Sequence, residues 1–157
     1  MADFVGGPVS RRKKGITKHL VMWKSKILKD GIVSQDRILV FIGGMEHPAE
    51  HGDLEATFRA ELEEEAGLKL GERAPLTRVP VRAEHDGHVK HFVQVWRRDC
   101  TGSLRKVPID DGETRLSVPF YADKVYLEKH LHGDYRLVLP YIDWGPSWRC
   151  RRALFNC

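Results

Sequence analysis

A strand that runs straight into two glycines and then into an acid-rich helix is the feature that most limits how this chain can fold. Arg37–Ile42 (RILVFI) is a short apolar, β-branched run bounded by turn residues, which suits a buried strand. It delivers the chain into Gly43-Gly44, and the segment from Gly44 to Leu68 reads GMEHPAEHGDLEATFRAELEEEAGL. The spacing predicts a helix over Asp53–Ala66, with Asp53 as N-cap and Gly67 as the residue that closes it. Asp53, Glu55, Glu61, Glu63, Glu64 and Glu65 crowd this helix, and Arg59 is its one cation.

The rest of the chain supplies strands for that helix to pack on. Lys18–Leu28 has strand character through Leu20, Met22 and Trp23, and Asp30-Gly31 is a turn signal. Thr77–Ala83 and His88–Arg97 flank Asp86-Gly87, a hairpin signature. A further strand is expected around Thr114–Pro119. A second helix is expected over Ala122–His132, with Val125, Leu127 and Leu131 as its apolar positions; residues 135–157 close the fold as a strand or short helix. A length of 157 residues gives one domain with a substantial core. The expected organisation is a flexible basic lead over residues 1–16 and a single α+β domain over 17–157.

Helical residues follow one another at about 100°. Leu54, Phe58 and Leu62 therefore share an apolar stripe, Glu61 and Glu65 fall within or beside it, Glu64 flanks Glu61, and Glu63 faces solvent. Ionised carboxylates at that edge repel one another and lose hydration. A hard divalent cation such as Mg²⁺ or Mn²⁺ would resolve the conflict. The alternative is a solvated acidic helix with i,i+4 pairing, for which Arg59 is the only local partner.

The segment resembles the Nudix box, G-x5-E-x7-R-E-U-x-E-E-x-G-U, where U is a bulky apolar residue. Gly44-x5-Glu50 matches its start, and Glu61-Leu62-Glu63-Glu64-Glu65-Ala66-Gly67-Leu68 matches its end without a gap. Two departures stand between them: Glu50 to Glu61 is two residues longer than the pattern, and Ala60 occupies the arginine position, with Arg59 one step away. The resemblance implies the Nudix fold, an α/β/α sandwich around a mixed sheet. It implies hydrolysis of a nucleoside diphosphate linked to a group X, with Mg²⁺ (or Mn²⁺) as cofactor and a nucleotide-type small molecule as substrate. By position, Glu61, Glu64 and Glu65 would be metal ligands, Gly44 would add a backbone carbonyl, and Glu61 or Glu64 would act in catalysis. Glu50 and Arg59 would be structural, and Glu113, or its neighbours Asp110 and Asp111, would supply a further acid from outside the box.

Three readings follow: a hydrolase of small nucleotides, a Nudix-fold nucleotide-binding or regulatory module without turnover, and an RNA 5′-end pyrophosphohydrolase. Residues 1–29 hold eight Lys/Arg against one Asp, so the basic lead either contacts phosphate or RNA or is simply solvated; the small-nucleotide reading is preferred because the basic run is short. Trp23, Trp96, Phe120, Tyr121, Trp144 and Trp148 are stacking candidates that more often build cores. His47 and His51 in the box loop, and Lys90 or Arg97 on the hairpin, are minor phosphate candidates. Cys100, Cys150 and Cys157 form no metal-ligand pair and read as reduced thiols of a cytoplasmic protein. No apolar run spans a bilayer, and a homodimer is left open.

Overall fold

The computed structural model describes residues 2–46 and 53–145. Alternation along the strands builds two cores, one on each face of a sheet. In β3 (Ile16–Ile27), Leu20 and Met22 point to one face and Val21 to the other. The same parity separates Val40 and Ile42 from Leu39 and Phe41, and Val93 and Val95 from Phe92. Successive strand side chains point to opposite faces, so a strand rich in apolar residues at every position must be covered twice. Helix α1 (Leu54–Glu61) covers one face through Phe58, and Leu62 and Ala66 in the turn after it extend the same contact. Helix α2 (Lys124–His130) covers the other through Leu127, and Val138 from the 3₁₀ turn Gly133–Val138 joins it there.

The strands are β1 (Phe4–Gly7), β2 (Val9–Lys13), β3, β4 (Val33–Val40), β5 (Ile42–Met45), β6 (Leu68–Leu70), β7 (Thr77–His85), β8 (His88–Trp96), β9 (Cys100–Gly102), β10 (Ile109–Asp110), β11 (Thr114–Leu116) and β12 (Phe120–Ala122). The main sheet runs β10-β11-β3-β2-β8-β1-β5, with β4 and β12 also on β3 and β7 on β8. It is mixed: β1 and β2 lie parallel to β8, whereas the other pairings are antiparallel. Strands β6 and β9 form a separate antiparallel pair. The arrangement is an α+β sandwich with helices on both faces of a mixed sheet. Among the described residues no helix is long and apolar enough to cross a membrane.

Three expectations are corrected. Residues 4–13 are not a flexible lead: Val5 and Val9 are core residues, and β1 and β2 occupy the middle of the sheet. The apolar positions on either side of the glycines, Val5 and Val9, are what pull them in. The strand expected over Arg37–Ile42 is two strands, β4 on β3 and β5 on β1, because the chain changes partner at Phe41. Helix α2 is shorter than expected, and Val125 on it is 73% exposed, while Leu127 and Leu131 are buried. The Asp86-Gly87 hairpin turn forms with both residues at positive φ (51° and 77°), the geometry a two-residue turn requires. Trp148, Cys150 and Cys157 lie outside the described residues.

A buried polar chain ties the N-terminal strands to the far end of the fold. Ser10 Oγ lies 2.6 Å from His19 Nδ1, Gln94 Nε2 donates to Ser10 Oγ, and the Asp143 N–H donates to Gln94 Oε1. Burial holds the His19 imidazole down to a pKa of about 3, only partly offset by Asp143. Neutral His19 is therefore part of the packing, with the Trp144 ring edge-on at 4.3 Å.

Candidate active site

The acid-rich helix is set by its ends. Asp53 caps it, accepting from the Ala56 N–H at 2.7 Å. Phe58 and Leu62 are fully buried, as the apolar stripe demands. After Glu61 the α-helix widens into a π-helical turn over Leu62–Ala66, a feature that recurs at functional positions in helices. Gly67 ends it at φ 77°, its N–H donating to the Glu63 carbonyl. A side chain at Gly67 would also collide with the Ser103 carbonyl, 2.8 Å from where its Cβ would sit.

The widened turn sorts the acids. Glu63 and Glu64 are exposed, while Glu61 and Glu65 are drawn back against β5. Glu65 Oε1 accepts from the Gly43 N–H at 2.9 Å. Glu61 lies across Gly44 so closely that a Cβ there would be 2.4 Å from its Oε1. Glycine at 44 is thus a steric requirement of the carboxylate. Burial, then the charge of Glu64, raises Glu61 to a pKa of about 7, and Lys24 acts in the opposite direction. Burial raises Glu65 to about 8 with the help of Glu61, against the Gly43 hydrogen bond and the charges of Lys24 and Arg105.

Three neighbours escape the sequence pattern. Lys24 on β3 and Arg105 in the segment after β9 are the cations that act on the glutamate pair. Arg105 reaches it through the backbone, its Nε donating to the Glu65 carbonyl at 2.8 Å. Tyr135 is the third: burial and the charge of Glu65 push its hydroxyl well above the ordinary tyrosine value. All three are distant in sequence from the box, so no spacing rule finds them.

Arg59 does not take the place of the missing arginine. It pairs with Glu55 at 3.2 Å and donates to the carbonyls of Leu70 and Gly71 at 3.0 Å, so it fastens α1 to the end of β6. Glu113 is exposed in the β10–β11 turn, where its backbone is held by Asp111 and by the Ile27 N–H. Among the described residues no three Asp, Glu, His or Cys side chains gather closely enough to hold a metal ion. Glu61, Glu64, Glu65 and Glu113 thus do not form a closed cage, because the π turn sends Glu64 outward and Glu113 stays at its turn. Glu50, His47 and His51 lie outside the described residues.

Lys24 also borders a groove of about 1110 Å³ between β3, β4, β11 and α2, with Trp23, Arg37, Tyr126 and His130 along it. The Arg37 guanidinium stacks on the Trp23 ring at 4.1 Å. Of the other stacking candidates, Trp96 is flanked by Arg12 and Arg98, and Trp144 packs on His19.

No family model and no curated protein matches the chain. Solved structures do. A structure from Listeria monocytogenes described as a Nudix hydrolase superimposes with a TM-score of 0.66 at 11% identity, covering 98% of this chain and 94% of that one. The MutT Nudix hydrolase from Burkholderia pseudomallei gives 0.60 at 19% identity, over 90% and 98%. The Nudix domain of Shewanella oneidensis NrtR, solved with ADP-ribose, gives 0.56 at 12% identity, over 88% and 83%. The chain has the Nudix fold. Within that fold, Glu61 and Glu65 lie on the helix that the box resemblance marks, against the glycines that begin it.

Proposed function

We propose that this Nudix-fold chain is a divalent-metal-dependent hydrolase that cleaves the pyrophosphate linkage of a nucleoside diphosphate joined to a second group. The observation that carries the reading is the glutamate pair: Glu61 and Glu65, drawn together against Gly43 and Gly44, with pKa values lifted to about 7 and 8. Carboxylates placed where they resist ionisation are stabilised by a cation, and their hard oxygen donors fit Mg²⁺ or Mn²⁺. Glu61 and Glu65 would hold it with the Gly44 carbonyl, and the exposed Glu64 and Glu113 would complete the set only by swinging inward. When bound, the metal neutralises pyrophosphate oxygens and acidifies a water.

The chain's own residues supply the rest. A glutamate of the set that does not touch the metal can accept a proton from the water at neutral pH and release it again. Lys24, between the pair and the groove, places a point charge where a phosphate would cross. Trp23, whose ring carries the Arg37 guanidinium on one face, lines the same groove and offers an aromatic surface for a base. The buried free thiol of Cys100 fits a reducing, cytoplasmic setting.

The test is hydrolysis with Mg²⁺ across ADP-ribose, dinucleoside polyphosphates, nucleoside triphosphates and 5′-triphosphate RNA. Glu61→Gln and Glu64→Gln should each lower kcat on the order of 10²- to 10⁴-fold. A Glu64→Gln protein with full activity would remove that residue from the site. Binding of a nucleotide without hydrolysis of any substrate would favour the second reading, a nucleotide-binding module. The turned-away Arg59 and Ala60 in the box motivate that alternative.

A further inference from the structure

Beside the C-terminal end of the glutamate helix lies a second hollow, about 470 Å³ in volume. Arg11, Arg97, Arg105 and Lys106 line it, together with Tyr121, and among the described residues no carboxylate does. Among the described residues none of these four cations has a carboxylate partner. Two are fixed in place by backbone carbonyls. Arg97 donates to Cys100 and Gly102 at 3.0 and 2.8 Å, and Arg105 to Glu65 and Ser117 at 2.8 and 2.7 Å. A guanidinium carries five N–H donors, so Arg97 keeps three to spare, while Arg105, which also donates to the Val107 carbonyl and the Met22 sulfur, keeps one. The Arg11 guanidinium rests on the Tyr121 ring at 4.2 Å. The Tyr121 hydroxyl, shielded from solvent, has no hydrogen-bond partner among the described residues.

The positive surface does not stop there. A smaller hollow shares Arg11 and adds Lys13, Lys14 and Lys18 from the β2–β3 hairpin. Because β2 pairs residue by residue with β3 from Ser10↔His19 to Lys13↔Ile16, these cations sit on a fixed ribbon. Cations held this close repel one another, and an anion with several charges relieves them together.

We propose that this hollow is a phosphate-binding site separate from the glutamate pair. Arg97 and Arg105 form its fixed positive floor, and Arg11, seated on the Tyr121 ring, closes on the ligand together with Lys106. The ligand class is an anion with linked phosphates, either a free polyphosphate or the backbone of a nucleic-acid strand continuing along Lys13, Lys14 and Lys18. The inference stands whether or not the chain hydrolyses pyrophosphate linkages.

Two probes separate the sources: inorganic pyrophosphate by titration calorimetry, and a labelled single-stranded RNA without a terminal triphosphate by anisotropy. Both use the full chain in chelator. Arg11→Gln with Lys106→Gln should weaken whichever probe binds, by about tenfold or more. Tyr121→Phe keeps the ring under Arg11 and should leave binding within about twofold. RNA binding whose salt slope falls by about 1 per removed cation assigns the site to a nucleic-acid backbone. Binding of pyrophosphate alone assigns it to a free anion. Glu61→Gln should leave either result unchanged. The proposal is overturned if neither probe binds, or if binding ignores the double variant.

Discussion

The sharpest constraint at the residue scale is the contact of Glu61 with Gly44. A methyl group at 44 meets the far end of a flexible side chain, so the fold can yield by moving Glu61 aside. Gly44→Ala should therefore leave the melting temperature nearly unchanged while displacing a proposed ligand by about an ångström. A misplacement of that size is worth on the order of 10²-fold in rate. Steady-state kinetics beside a thermal melt will check it; a variant of wild-type activity would mean that Glu61 does not need to lie where it does. The glycine was visible in the sequence as part of the box. Its reason was not, because the clash involves a residue on the following helix.

At the scale of elements, two cations near the helix have opposite duties, and paired substitutions tell them apart. Arg59 fastens α1 to the end of β6, so Arg59→Ala should lower stability by about 1 kcal/mol and leave the pH profile in place. Lys24 lowers both glutamates from across the sheet. Lys24→Gln should move the acidic limb of activity to higher pH with little loss of stability. If both variants shift the profile alike, Arg59 is acting on the glutamates after all. The order of strand, glycines and capped helix was legible in Arg37–Leu68, since period and turn chemistry are local. The switch of partner at Phe41 was not, nor were β1 and β2, because a basic cluster masks alternation that only β8 and β3 reveal. The π turn was also hidden: nothing in Leu62–Ala66 distinguishes it from the α-helix assumed in placing Glu64.

For the whole molecule, pH should act on stability from two sides. His19 binds its proton more weakly folded than unfolded, so stability falls as pH drops from the ordinary histidine value of 6.5 toward about 3. Glu61 and Glu65 bind theirs more tightly folded than unfolded, so their contribution is present below 4.5 and is lost as pH rises through about 7 and 8. Metal-free protein should accordingly melt highest in the mildly acidic range and lose stability toward pH 9. Mg²⁺ should flatten the alkaline fall, since a ligand of the native state raises apparent stability. Melts across pH, with and without Mg²⁺, will decide; an alkaline fall that survives in Glu65→Gln and Glu61→Gln would have another origin.

The parallel pairing of the first strands with β8 also governs how the chain is made. Phe4 lies beside Lys90 and Val9 beside Val95, so the opening segment leaves the ribosome long before its partner exists. Contacts so distant in sequence delay folding and leave strand edges exposed to other nascent chains. Arg11, Arg12, Lys13 and Lys14 follow directly on the apolar residues at risk. Their mutual repulsion opposes the zipping together of two waiting copies, so Arg11, which lines the hollow in the finished protein, acts with its neighbours as a gatekeeper while it is being synthesised.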